Sequence, residues 1–176
     1  AKTLAPAIRD SPSITSIGKD GLNLKGNNLG NEGWGAIFAA VCGSEASKIA
    51  SVDASSQAIG PEGAELIGQA LRNSVNTSLT SINLVLNNLG SEGAKALAPA
   101  IRDSPSVTSI NLRGNHLGPE GVKALAPALR DSPSITSIGK DGLNLRDNRL
   151  GNEGWGAIFA AVCGSEASKI ASVDAS

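Results

Sequence analysis

The sequence predicts an α/β solenoid, with a curved parallel sheet on the concave side and helices on the convex side. Three observations carry that expectation. A unit of 28 residues recurs along the chain. The first half of each unit alternates apolar and polar residues with a period of two, the pattern of a strand with one buried face. The second half places its apolar residues three and four apart, the pattern of one helix face.

The units can be read directly. Val107–Ser134 is VTSINLRGNHLGPEGVKALAPALRDSPS and Leu79–Ser106 is LTSINLVLNNLGSEGAKALAPAIRDSPS. A divergent unit of 30 residues covers 49–78. Units of 35 residues at 14–48 and 135–169 insert roughly GKDGL before the leucine-rich segment, and partial units occupy 1–13 and 170–176. A longer period lies above this one. Residues 1–55 recur almost unchanged at 122–176, an offset of 121, which is the combined length of one 35-, one 30- and two 28-residue units. The chain thus reads as a single solenoid segment, 1–176. It opens within a helix pattern and closes at a strand pattern, as an internal stretch of a longer solenoid would.

Each element follows from its residues. Strands are expected near Leu22–Leu24, Val52–Ala54, Ile82–Leu84, Ile110–Leu112 and Leu143–Leu145, with a partial strand near Val173. Helices are expected to start near Asn31, Pro61, Ser91, Pro119 and Asn152, with Ser91 as an N-cap. The DSPS segments turn the chain back toward the next strand. Pro6, Pro99 and Pro127 fall inside helical patterns, where proline removes a hydrogen bond, so a kink or an early end is expected. A strand and helix of this length cannot bury their apolar faces alone. Stacked neighbours can, and helices are wider than the strand spacing, so the stack must curve.

Composition sets further bounds. Hydrophobic residues make up 40% of the chain, yet only two Trp and two Phe are aromatic, so Leu, Ile, Val and Ala must build a core of thin similar layers. The net charge of -1 lacks the basic stripe that nucleic acid requires. No apolar run reaches the roughly 18 residues of a membrane span. A cytoplasmic protein with no cofactor is expected. Cys42 and Cys163 occupy the same position in the two copies, roughly 35 Å apart at helix spacings of roughly 8–10 Å, which is beyond a disulfide. His116 is the single histidine, and no cluster with metal-ligand spacing exists, so no metal site is expected. No Ser-His-Asp or Cys-His pattern is present, so no catalytic residue is assigned. Asn76-Thr77-Ser78 matches a glycosylation sequon by accident.

The motif LxxLxLxxNxLG followed by an EG-A-x-A-L-A-x-A-L helix recurs in every unit and covers essentially the whole chain. It resembles the ribonuclease-inhibitor-like leucine-rich-repeat family. The resemblance implies a non-catalytic protein-interaction module that uses its concave strand face and adjoining loops. It implies a structural role for Asn27, Asn87, Asn115 and Asn148, and for Gln57 in the divergent unit, whose side chains should bond neighbouring backbone. Some members regulate small GTPases, though nothing in this sequence selects that activity. The candidate protein-binding positions are the outward ones on the strands: Asn23, Lys25, Asp53, Ser55, Asn83, Val85, Asn111, Arg113, Asn144, Arg146 and Asp174. The insertions at 18–21 and 139–142 are candidate contact loops. Trp34 with Phe38, and Trp155 with Phe159, are spaced for packing within a helix. The alternative is a structural, self-assembling repeat scaffold, natural, consensus-derived or excised, with weak head-to-tail self-association. The near-identity of the two 55-residue blocks favours it.

Overall fold

The computed structural model describes residues 3–166 and 168–174. Six helices alternate with strands: α1 (Ala5–Arg9), α2 (Gly30–Cys42), α3 (Pro61–Arg72), α4 (Gly90–Asp103), α5 (Gly118–Asp131) and α6 (Gly151–Cys163). The strands are β1 (Ser16–Ile17), β2 (Ser51–Asp53), β3 (Ser81–Asn83), β4 (Ser109–Asn111), β5 (Ser137–Ile138), β6 (Leu143–Asn144) and β7 (Ser172–Val173). All pair in parallel in one sheet, ordered β1-β2-β3-β4-β6-β5-β7. Each helix packs on its neighbours in chain order, which gives a curved solenoid with the helices outside.

One layer of core comes from each unit. In the fourth, Ile110 and Leu112 point inward from the strand, Leu117 closes the turn and Leu125 faces them from α5, all at most 4% exposed. Ile82, Leu84, Leu89 and Leu97 repeat this in the third unit. Apolar burial of about 25 cal/mol per Å² drives the stacking, and no unit has a second hydrophobic face to spare.

Three features of the strands differ from the sequence expectation. The strands begin one residue earlier than the LxL pattern suggests, because the hydrogen-bonded register starts at the serine: Ser51 lies beside Ser81, and Ser81 beside Ser109. Leu22–Leu24 is not a strand. Ser16–Ile17 takes that place beside β2, and Leu22 contributes a single bridge to Ile17. In the second long unit both segments enter the sheet. Leu143–Asn144 pairs with β4 on the preceding side, while Ser137–Ile138 pairs with β7 on the following side. The inserted loop therefore reverses the local strand order.

That reversal is made by one tight loop. Parallel neighbours ordinarily need a crossover of a dozen residues or more. Here Gly139 donates its N–H to the Leu143 carbonyl at 2.8 Å, closing the chain on itself within five residues. Gly139 has φ +139° and its counterpart Gly18 has φ +143°, a region that side-chain-bearing residues avoid. A Cβ on Gly142 would overlap the carbonyl oxygen and Oγ of Ser137.

The caps and prolines also depart from expectation. Ser91 lies inside the first turn of α4, and Leu89 holds the N-cap position with no side-chain cap. Pro99 and Pro127 neither end nor shorten their helices: α4 runs on to Asp103 and α5 to Asp131, while Pro6 falls in the first turn of the short α1. Pro127 is exposed and Pro99 half-buried, with Lys95 and Lys123 one turn earlier on the solvent side, so water can satisfy the carbonyls that lose a partner.

Candidate interaction surface

The candidate surface is built on the turns that follow the strands. An asparagine or glutamine in each turn ties it to its neighbours. Asn87 Nδ2 donates to the carbonyls of Ala54 and Leu84 at 2.9 and 3.0 Å, and its Oδ1 accepts the N–H groups of Gln57 and Ile59 at 3.0 Å each. Asn115 Nδ2 donates to Leu84 and Leu112, and Asn148 Nδ2 to Leu112 and Leu145. Gln57 reaches only the carbonyls of its own turn, Ser55 and Ser56. Asn27 likewise bonds within its own turn, to Leu24 and Lys25, and is exposed. The amides of Asn87, Asn115 and Asn148 fix the spacing of successive turns, since each satisfies buried polar atoms in two units at once.

The outward strand positions are more constrained than a free surface. Asn23, Asp53, Asn83, Asn111 and Asn144 each accept, through Oδ1, the N–H of the residue two further on, at 2.9 to 3.2 Å. This column is an array of Asx turns that bend the strand into its loop. Asn144 is 6% exposed and Ser55 9%, so neither offers much contact area. Asn83, Val85 and Asn111 are half-buried, and Asn23, Lys25, Arg113 and Arg146 are exposed.

Charges on this face are paired across units. Lys25 Nζ lies 3.1 Å from Asp53 Oδ2, and Arg146 Nη2 lies 3.7 Å from Asp174 Oδ2, the same pair one super-repeat later. Arg113 Nε donates to Asp147 Oδ2 at 2.6 Å. Asp147 stands where the first copy has Gly26, so this third pair belongs to the second copy alone. Burial works to raise the Asp53 carboxyl, but hydrogen bonds from Ser55 and Lys25 outweigh it and hold the group below the usual carboxylate range. A notch of about 370 Å³ opens where Arg113, Arg146, Asp147, Arg149 and Trp155 converge.

Sequence reasoning missed Leu86. It is 62% exposed and sits at φ +53°, between the Lys25–Asp53 and Arg113–Asp147 pairs, with its side chain over Gly114. A signal was present: Gly26, Ser56, Gly114 and Asp147 hold the same column, so a leucine there has no core to enter. Among the described residues no group of His, Cys, Asp and Glu could hold a metal ion, and no helix is long and apolar enough to cross a membrane. The Asn76 side chain is 2% exposed and donates to the carbonyls of Val41 and Ile49, an environment closed to glycosylation.

A family model described as Leucine Rich repeat matches residues 22–38, 75–98, 103–126 and 143–159. The chain is a leucine-rich-repeat protein. Its matched segments span the strand-end turns and the helices that follow them, and the geometry is that of the ribonuclease-inhibitor-like type. Among solved structures, the leucine-rich-repeat chain is similar to leiomodin-1 actin-binding site 2. The identity is 14%, with a TM-score of 0.65, covering 93% of this chain and 88% of that one. It is also similar to a Caenorhabditis elegans tropomodulin C-terminal domain, at 15% identity and a TM-score of 0.64, covering 91% and 87%. At these identities the likeness is one of fold. No match is found among curated proteins.

Proposed function

We propose that the chain is a non-catalytic protein-interaction module that binds a protein partner through its concave strand face and the turns beside it. The observation that carries this reading is the placement of Leu86. A leucine that is 62% exposed, on a rigid turn flanked by ion-paired rows, is an apolar anchor inside a polar rim. Val85 extends the anchor, while Asn23, Lys25, Asn83, Asn111, Arg113 and Arg146 supply the rim. Asp53, Ser55, Asn144 and Asp174 shape it from below. The similar region of leiomodin-1 is an actin-binding site, which supports a protein as the class of ligand. Unpaired thiols at Cys42 and Cys163 accord with a cytoplasmic setting.

The test is affinity capture with the intact chain, and with Leu86→Ser and Arg113→Glu variants, including a co-sedimentation arm with filamentous actin. Proteins retained by the parent chain and lost with either variant support the concave surface. Equal retention by all three chains removes it. A second reading, a self-assembling repeat scaffold, is supported by the near-identity of residues 1–55 and 122–176.

A further inference from the structure

Leu86 sits where a leucine serves the fold poorly. Its φ of +53° lies in the left-handed region, where a bulky side chain is crowded by its own backbone, and it is 62% exposed. Two of the four other units place glycine in this column, Gly26 and Gly114, at φ +76° and +69°. Complete units, 49–78 and 107–134, flank Leu86 on both sides, so no further repeat would cover it.

The turn is locked to its neighbour. The Leu86 N–H donates to the Arg113 carbonyl at 2.9 Å. The leucine side chain lies on Gly114 so closely that a Cβ there would stand 2.8 Å from Leu86 Cδ2. Gly114 is thus the floor that lets Leu86 lie flat beside the Arg113 turn. Half-buried Val85 extends the apolar strip.

Arg113 is held by one nitrogen. Nε donates to Asp147 Oδ2 at 2.6 Å, while the two η nitrogens have no partner among the described residues. Arg9, Arg102 and Arg130 instead close both Nε and Nη2 on the adjacent aspartate. A clamped Nε orients the guanidinium plane and leaves its outer edge for a carboxylate, the group that arginine's planar fork matches. The clamp is particular to this place. Residues 1–55 and 122–176 differ at six positions, and three of them, Lys25/Arg146, Gly26/Asp147 and Asn28/Arg149, fall in the one turn that supplies Asp147 to Arg113.

We propose that the Leu86–Arg113 corner reads a peptide segment of a partner protein in which a carboxylate side chain stands beside a large apolar one. The proposal rests on the concave-face reading above and names what that face selects. The apolar group packs on Leu86 and Val85, and the carboxylate accepts from the Arg113 η nitrogens. A nucleic-acid backbone is a poorer fit, because its phosphates would meet Asp53 and Asp147 on either side of Leu86.

The test uses random linear peptides displayed on phage and selected on the intact chain. The selected sequences should set Asp or Glu next to, or one residue from, Leu, Ile, Phe or Trp. A synthetic peptide of the selected sequence should bind Arg113→Gln roughly tenfold more weakly or worse, the scale of a lost charged hydrogen bond. Changing the peptide's acid to its amide should weaken binding to the parent chain as much, and should add no further loss on Arg113→Gln. Leu86→Gly should lose the peptide and yet unfold at no lower a urea concentration than the parent, since glycine suits a left-handed turn. Failure to enrich any peptide, a selected motif without an acid, or an amide change that costs as much on Arg113→Gln as on the parent would overturn the proposal. If Leu86→Gly still lost such peptides, the concave-face reading would stand without it. Peptides that bind all the variants alike would remove both. A Leu86→Gly chain that unfolds more readily than the parent would show that the leucine serves the fold, and would also overturn the proposal.

Discussion

Asn148 donates its side-chain amide to the Leu112 carbonyl at 2.8 Å, 36 residues back along the chain, and its Oδ1 accepts the Asn115 N–H at the same distance. One side chain thus adds buried bonds between two turns that the backbone also links, from Gly114 N–H to the Arg146 carbonyl and from Gly118 N–H to the Asn148 carbonyl. Asn27 holds the same place in the first copy, is exposed, and bonds only within its own turn. Asn148→Ala should therefore remove the side-chain partner of buried backbone groups of Leu145, Asn115 and Leu117, while the Leu112 carbonyl keeps the Asn115 amide, at about 1–3 kcal/mol for each group that water cannot reach. Asn27→Ala should cost less than about 1 kcal/mol, since solvent replaces its bonds. Urea denaturation of the two variants measures the difference, and equal losses would contradict the geometry.

Inward and outward strand positions should separate cleanly. Leu112 and Leu117 are fully buried, while the Arg113 side chain is 55% exposed although paired with Asp147. Leu112→Ala and Leu117→Ala should each cost roughly 2–5 kcal/mol, because a thin stacked layer cannot collapse around the cavity. Arg113→Ala should cost less than about 0.5 kcal/mol, the ordinary effect of a surface change. Chemical denaturation of the three chains is the check.

How much of this was legible before the structure depended on whether the deciding contact was local. The solenoid was legible because Ile110, Leu112, Leu117 and Leu125 repeat unit by unit, and a repeated amphipathic unit has one way to bury its apolar side. The helix starts were legible to within a residue because EG follows the turn each time. The cap at Ser91 was misread, since Leu89 and Gly90 already begin that helix. The insertion was misread for a different reason. Ser137–Ile138 and Leu143–Asn144 are both plausible strands, and which neighbour each one meets is decided by tertiary pairing with β4 and β7. On the candidate surface, alternation identified the outward positions, but not that Asn144 is buried or that Leu86 is exposed.

The reversed strand order should depend on a glycine. Gly142 lies where a Cβ would strike the Ser137 carbonyl and Oγ, so Gly142→Ala must open the loop or move β5. Overpacking of this kind typically costs about 1–3 kcal/mol. Amide exchange should quicken along β5 and β7, which pair with each other, while β3, further along the sheet, keeps its protection. Uniform loss across the sheet would show that the loop is not an independent device.

The two cysteines should differ in chemistry although their helices are identical. Burial pushes the Cys42 thiol up to about 11, against a hydrogen bond from Ser74 that works to lower it. Cys163 is exposed. At mildly alkaline pH an alkylating reagent should label Cys163 promptly and reach Cys42 only as fast as the N-terminal units open. The same burial fixes a pH dependence of stability. The folded value lies above the roughly 8.5 of a free thiol, so the folded state favours the neutral form. That contribution is present in full below about 8.5 and is lost as the pH rises through about 11. The chain has no tyrosine, so no phenol titrates in this window. Urea denaturation from neutral pH upward should show stability falling on the alkaline side for the parent chain and for Cys163→Ala. In Cys42→Ala that fall should be smaller, though the variant starts from a lower stability because it leaves a small cavity. A parallel decline in all three chains would place the alkaline loss elsewhere.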